Sequence, residues 1–302
     1  MKTIDGIIEA ARKAGRKRIA VAAAQEESAL EAVIDAYRHG LAEPILIGEV
    51  AIIQKMVANI GAAMGVDVSG FRMIDENDFA SSAARAVALV KAGEADMLMK
   101  GVLDTSILLK AALNKETGLN TGRLTSHVGV MEVPTYHKLL IVTDAAINIA
   151  PDLAGKIDII ANAVQVAKAL GVELPKVALL AAVEKVNPDK MPCTADAAIL
   201  TQMNRRGQIK GCLVDGPLAL DNAISAESAK IKKIVSDVAG DADILVSPDI
   251  EAGNILYKCL LDLGNAKGAG IVVGAAKPVV LTSRSDSAET KLASIALAAL
   301  TS

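Results

Sequence analysis

Short Val-, Ile- and Leu-rich runs recur along the chain, each followed by a stretch whose apolar residues return every three or four positions. "RIAVAAA" leads into 26–39, "PILIG" into 50–61 and "ADMLMKG" into 104–114, and the pattern resumes with "KVALLAAV", "KGCLVDG", "DADILVS" and "GAGIVVGAAKPVVLTS". Strand-like runs alternating with helix-like ones predict crossover units and a largely parallel sheet. One place breaks the rule. Only "PTYH" separates "HVGVMEV" from "KLLIVTD", too little chain for a helical crossover, so an antiparallel hairpin is expected there. Near the start, Ile4, Ile7, Ile8 and Ala11 mark one face of a short amphipathic helix.

No linker or internal repeat marks a domain boundary. At 302 residues, against about 100–200 per domain, two domains fit. The alternation gives way to the hairpin after "GLNTG", so the break is placed near residue 122. The expected division is a first α/β domain of 1–122 completed by 272–302, and a second of 123–271.

Composition narrows the chemistry. With two Phe, three Tyr and no Trp, the core must be built of Ala, Val, Ile and Leu, which suits parallel sheets covered by helices. A net charge of -3, without a basic stripe or stacking aromatics, argues against a nucleic-acid surface. Cys193, Cys212 and Cys259 have no metal spacing and read as small core residues in a reduced compartment. His39, His127 and His137 share no ligand spacing either, so no bound metal is expected. The charged amino-terminal stretch is neither signal peptide nor anchor, and no apolar run nears a membrane span. A soluble, cytoplasmic protein is the expectation.

In open parallel sheets, ligands gather beyond the carboxyl ends of the strands, where helix amino termini converge. Four such ends carry polar residues: "MKGVLDTS", "VTDAAINIAPD", "VDGPLALDNA" and "LTSRSDS". In the last, a helix beginning near Asp286 offers unpaired N–H groups and a positive dipole end to an anion. Arg284 adds a charged fork whose hydrogen bonds to an anion contribute ~1.5–3 kcal/mol each, and Ser283 adds a neutral donor. An arginine there is on the unfavourable side of the helix dipole, so something negative should compensate it. Asp286 and Glu289 have a second reading, because Asp-x-x-Glu is close to a capping box. Lys100 is either a second cation of the site or a solvated lysine before a helix capped by Asp104, Thr105 or Ser106. Asp144 is either a ligand-orienting carboxylate or an Asx turn, and Asp215-Gly216-Pro217 is turn chemistry. His127 reads as structural, and Arg205 and Arg206 suit a helix carboxyl terminus before Gly207. Dinucleotide and P-loop signatures are absent.

Taken together, the chain from about residue 17 onward resembles the phosphate acetyltransferase and phosphate butyryltransferase family, and its butyryl branch most. The likeness is carried by "ADMLMKG", "LNKETGLNTGRLTSHV", "LLIVTDAAINIAPDL", "VALLAAVEKVNPDKM", "TADAAIL", "VDGPLALDNAIS", "EAGNILYK" and "KPVVLTSRSDSAETKLASIALA". It implies two α/β/α lobes with largely parallel sheets and a cleft between them that holds the active site, a fold similar to the isocitrate and isopropylmalate dehydrogenases. It implies reversible acyl transfer between coenzyme A and inorganic phosphate, with no permanently bound cofactor and a homo-oligomer of at least two subunits. The family's Ser-Arg pair falls on Ser283 and Arg284, for transition-state stabilisation and phosphate binding. Where acetyl-specific members carry a catalytic aspartate, this chain has Thr290, so the role passes to Asp286 or Glu289.

A second departure concerns the acyl group. Acetyl-specific members carry an arginine shortly after an Asp-Thr pair, whereas Asp104-Thr105-Ser106 is followed here by Ile107. An apolar residue in place of a cation leaves room for a longer acyl chain, with Lys100 or Arg123 replacing the lost phosphate contact. Thr105 and Ile107, at that departure, and Ser126, Asp144, Asn254 and Lys258, in stretches that carry the resemblance, are the candidate substrate contacts. Two rivals stand beside this reading: a dehydrogenase of similar fold, which needs metal-binding clusters the sequence lacks, and a non-catalytic module that senses acyl-coenzyme A.

Overall fold

In the computed structural model, residues 1–282 and 286–302 are described. Ser283 and Arg284 lie outside the described residues. The chain divides into two compact units, one of Ile4–Arg123 with Ala269–Ser302 and one of Met1–Thr3 with Leu124–Gly268.

The first unit begins with α1 (Ile4–Ala14), β1 (Lys17–Ala22), α2 (Glu27–Arg38), β2 (Ala42–Gly48), α3 (Val50–Met64), β3 (Arg72–Asp75), α4 (Phe79–Lys91), β4 (Met97–Lys100) and α5 (Thr105–Ala112). The second contains β5 (Ser126–Glu132), β6 (Leu140–Thr143), α6 (Leu153–Ala169), β7 (Lys176–Leu180), α7 (Pro192–Arg205), β8 (Leu213–Leu218), α8 (Leu220–Ile224), α9 (Ala226–Ile231), β9 (Ile244–Val246) and α10 (Ile250–Asp262). From Ala269 onward, β10 (Lys267–Val273), β11 (Val279–Val280) and α11 (Ala288–Thr301) complete the first unit.

Strand order in the first unit is β3-β2-β1-β4-β11-β10, parallel except for β10 against β11. In the second it is β5-β6-β9-β7-β8, parallel except for the β5–β6 hairpin that "PTYH" predicts. The mixed α/β fold with mostly parallel sheets is therefore the one the alternation implies. Helix starts are set locally: Asp78, Asp152 and Asp249 accept from Ser81 N, Gly155 N and Ala252 N at 2.8, 2.8 and 2.9 Å. On α1, Ile4, Ile7 and Ala11 are fully buried, whereas Ile8 is only half-buried at the margin of that face.

Two expectations are corrected. Only Cys212 is a core residue; Cys193 is half-buried and Cys259 exposed, because each lies on a helix whose sheet-facing stripe passes beside it. Asp215-Gly216-Pro217 is part of β8 rather than a turn. The strand tolerates the proline because β8 ends its unit's strand order and its register against β7 shifts between Ala178 and Leu180. Among the described residues, no helix is long and apolar enough to cross a membrane, and no His, Cys, Asp and Glu cluster is suited to a metal ion.

Candidate active site

The pairing of β11 with β4 puts Val280 beside Met99, so Lys100 and Leu281 leave the sheet side by side. The loop that leads to α11 and the loop that leads to α5 therefore start at one point. Gly101 is fixed there by packing: a Cβ on it would stand 2.0 Å from the Ala23 carbonyl oxygen. Lys100 is half-buried, and its ammonium donates to the Gly101 and Leu103 carbonyls at 3.0 and 3.2 Å. It is not the fully solvated lysine of the bland reading. Thr105 and Ile107 follow in the first turn of α5, Thr105 exposed and Ile107 half-buried.

At α11 the cap is one residue later than the sequence suggests. Ser287 is the N-cap, accepting from Thr290 N at 3.1 Å, and its hydroxyl lies 3.0 Å from the Thr290 hydroxyl. Glu289 is thus the second helical residue and exposed, not the closing member of a box with Asp286. Ser287 wins because its Oγ reaches Thr290 N directly. Asp286 is half-buried just ahead of the cap, where a carboxylate is favoured by the positive end of the helix.

Arg123 is not brought to Lys100. Its segment is tied down by Thr121 Oγ1 donating to the Gly274 carbonyl at 2.5 Å and Leu119 O accepting from Ala276 N at 2.8 Å. Both partners lie in the β10–β11 turn, at the amino end of β11, whereas Lys100 and Asp286 lie past its carboxyl end.

In the second unit, Ser126, Asp144 and Asn254 converge at the carboxyl end of β6. Asp144 is 3% exposed. Its carboxylate accepts from the backbone of Ala146, Ile147 and Asn148 at 2.9, 3.1 and 3.1 Å, and from Asn148 Nδ2 at 2.6 Å. The turn reading therefore describes its bonds: it organises the loop. Asn254 donates to the Ala145 carbonyl at 3.0 Å from α10, with half-buried Lys258 one turn further along that helix. The adjacent Gly253 brings the helix close, since a Cβ there would stand 2.1 Å from the Asp144 carbonyl oxygen. Ser126 is fully buried and accepts from Asn162 Nδ2 at 2.9 Å. As placed, it offers no surface to a ligand and supports the loop from behind. His127 packs edge-on to Tyr257 at 5.2 Å between ring centroids, in the structural role its sequence context suggests.

Sequence reasoning missed three buried polar side chains near these strand ends. Ser247 is 3% exposed, with Oγ unpartnered, immediately after β9. Lys156 is 6% exposed in the first turn of α6 and pairs with Asp196 at 2.6 Å. Lys291 is 4% exposed in the first turns of α11. For Lys156 and Lys291 the available signal was a charge at a position where the helical period calls for an apolar residue.

The chain is similar to known proteins along nearly its whole length. The family described as phosphate acetyl/butaryl transferase matches residues 2–84 and 77–299. A phosphate butyryltransferase of Clostridium acetobutylicum is 50% identical over 99% of this chain and 98% of its own length. A phosphate acetyltransferase of Thermotoga maritima is 48% identical over 98% of this chain and 99% of its own. The crystal structure of a branched-chain phosphotransacylase from Enterococcus faecalis superposes with a TM-score of 0.81 at 36% identity, over 94% of this chain and 98% of that one. The chain belongs to the phosphate acetyl/butaryl transferase family.

Proposed function

We propose that the protein transfers a short acyl group, butyryl or a branched four- or five-carbon group preferred, reversibly between coenzyme A and inorganic phosphate. The products are acyl phosphate and free coenzyme A. The observation that carries this reading is identity of 50% along essentially the whole chain to a phosphate butyryltransferase. Ile107 at the start of α5, in place of a cation, supports the longer acyl chain. Further parts of the reading are a cytoplasmic location, an assembly of at least two copies, and no permanently bound cofactor.

In the acyl-phosphate-consuming direction, the thiol of coenzyme A attacks the carbonyl carbon, the C–O bond to phosphate breaks and the thiol proton is lost. A thiol near pKa ~8.5 is only a few per cent ionised at neutral pH. An ordinary aspartate near ~3.9 would take its proton at a cost of about 6 kcal/mol, at ~1.36 per unit. Proton removal must then be coupled to attack. Asp286, placed ahead of the cap and outside the Ser287–Thr290 pair, is the carboxylate assigned to it, with Glu289 the alternative. Ser283 donates to the carbonyl oxygen as it gains charge, and Arg284 holds the phosphate as leaving group and, in reverse, as nucleophile. Lys100, at the end of β4, supplies a second positive charge.

The test is phosphate-dependent release of free thiol from acetyl-, butyryl- and isobutyryl-coenzyme A. Faster turnover of the four-carbon substrates is expected, together with a roughly 100–1000-fold loss in Arg284→Ala, the size seen when one charge-stabilising donor is removed. No turnover of any thioester by folded protein would favour an acyl-coenzyme A sensor instead. Acetyl as the best substrate would keep the transferase and overturn the chain-length assignment.

A further inference from the structure

The second unit contains a buried ion pair that the mechanism above does not use, and the faces of its sheet place it. Ala178 and Leu245 pack with Tyr257 of α10, so Leu179 and Val246, the next residues of β7 and β9, point to the opposite side. There they line a small cavity with Lys156 in the first turn of α6 and with Cys193 and Asp196 in the first two turns of α7. β7 and β9 are neighbours whose chains leave for helices on opposite faces, the arrangement that opens a ligand crevice at strand carboxyl ends. The Ser247 hydroxyl belongs to the other side, 3.2 Å from where a Cβ on Gly253 of α10 would stand.

Lys156 is 6% exposed, and one contact fixes its direction: its ammonium donates to Asp196 Oδ2 at 2.6 Å. An ammonium has three donors. Asp196 is the one acceptor that the described residues supply to it, although buried donors are costly to leave unmet. The Asp196 side chain is 29% exposed, and its Oδ1 accepts no hydrogen bond from the described residues. A donor at depth and an acceptor nearer solvent thus border a cavity of about 10 Å³, room for one oxygen atom. Leu179, Leu200 and Val246 keep the rest of its wall apolar. A hydroxyl satisfies both partners, accepting from Lys156 and donating to Asp196. A phosphate does not, because the carboxylate repels it.

We infer that Lys156 and Asp196 bind the hydroxyl of the pantetheine arm of coenzyme A, with the apolar wall against the methyl groups that flank it. This rests on the transferase reading for the identity of the ligand. The ribose hydroxyl of coenzyme A stands beside a phosphate that Asp196 disfavours, so the hydroxyl of the arm is the one that fits. The pair makes and breaks no bond; it holds the arm.

Calorimetric titration of the full chain with S-methyl-coenzyme A, and with the analogue lacking the hydroxyl of the arm, tests this in the parent and in Lys156→Met. The parent should prefer the hydroxyl form at least tenfold, and Lys156→Met should reduce that preference to within twofold. KM for coenzyme A should rise in Lys156→Met while KM for phosphate stays within twofold, a split that a purely structural ion pair does not produce. A preference that survives in folded Lys156→Met, no preference in the parent, or no binding of S-methyl-coenzyme A overturns the assignment. Should Lys156→Met not fold, Cys193 reports on the same cavity in the parent. Saturating S-methyl-coenzyme A must slow alkylation of Cys193 at least fivefold while exposed Cys259 reacts as before, both followed by peptide mass spectrometry. An unchanged rate at Cys193 overturns the proposal. A hydroxyl preference that depends on Lys156, with no thiol release from any acyl-coenzyme A, would sink the transferase reading and leave this one standing.

Discussion

Asp144 makes the residue-scale point most clearly, because its sequence context allowed two roles. Four donors converge on its buried carboxylate, so Asp144→Ala leaves several buried groups unsatisfied. A loss of about 3–5 kcal/mol in urea unfolding is expected. If stability is unchanged and only turnover falls, Asp144 is a ligand group instead. Asp241 provides the pH-dependent counterpart. Partial burial works to raise its pKa, but hydrogen bonds from Lys176 and Lys138 prevail and bring it down to about 2 from 3.8. A depressed carboxylate pKa contributes stability above the unfolded value, and that contribution is lost as pH falls from about 4 toward about 2. Since the side chain is 41% exposed, screening limits the gain to about 1 kcal/mol. The stability gap between the parent and Asp241→Asn should therefore close between pH 5 and pH 2.5, and a gap that does not change with pH would contradict the assignment.

At the scale of elements, the start of α11 separates capping from chemistry. Ser287→Ala removes the cap and should cost about 1 kcal/mol with modest effect on turnover. Asp286→Ala should do the reverse, lowering kcat with little change in unfolding midpoint. Equal stability losses in the two variants would return Asp286 to a structural role. The close contacts at Gly101 and Gly253 are backbone approaches that no side chain can share. Gly253→Ala pushes α10 away from the Asp144 loop and should destabilise by about 1–3 kcal/mol, read as a lower unfolding midpoint. The sequence showed these glycines only as residues beside Lys100 and Asn254; which carbonyl each one faces depends on strands and helices far away in the chain.

For the whole molecule, the proposed assembly predicts that sedimentation at micromolar concentration gives at least twice the monomer mass. A stable monomer would remove that part of the reading. Much of the molecule was legible beforehand. Alternation of apolar periods identified the crossovers and the β5–β6 hairpin, because burial on one or both faces leaves a local trace in the order of residues. The stretch around Ser283, Arg284 and Asp286 stood out in the sequence for a related reason, since polar residues in a row after an apolar strand have no use in a core. Strand order left no such trace. That β11 inserts beside β4 was decided by pairing between segments separated by most of the chain. Burial of Ser126 against Asn162, and the place of the segment before Arg123 beside the β10–β11 turn, were likewise decided by residues far away in the chain. That Lys291 is only 4% exposed was equally unreadable from its own segment. What the sequence determined by itself was the type of each element and the inventory of chemical groups, because those rest on local periodicity and composition. Which groups meet, and which are buried, belonged to the tertiary structure, because burial and register are properties of contacts that no short segment contains.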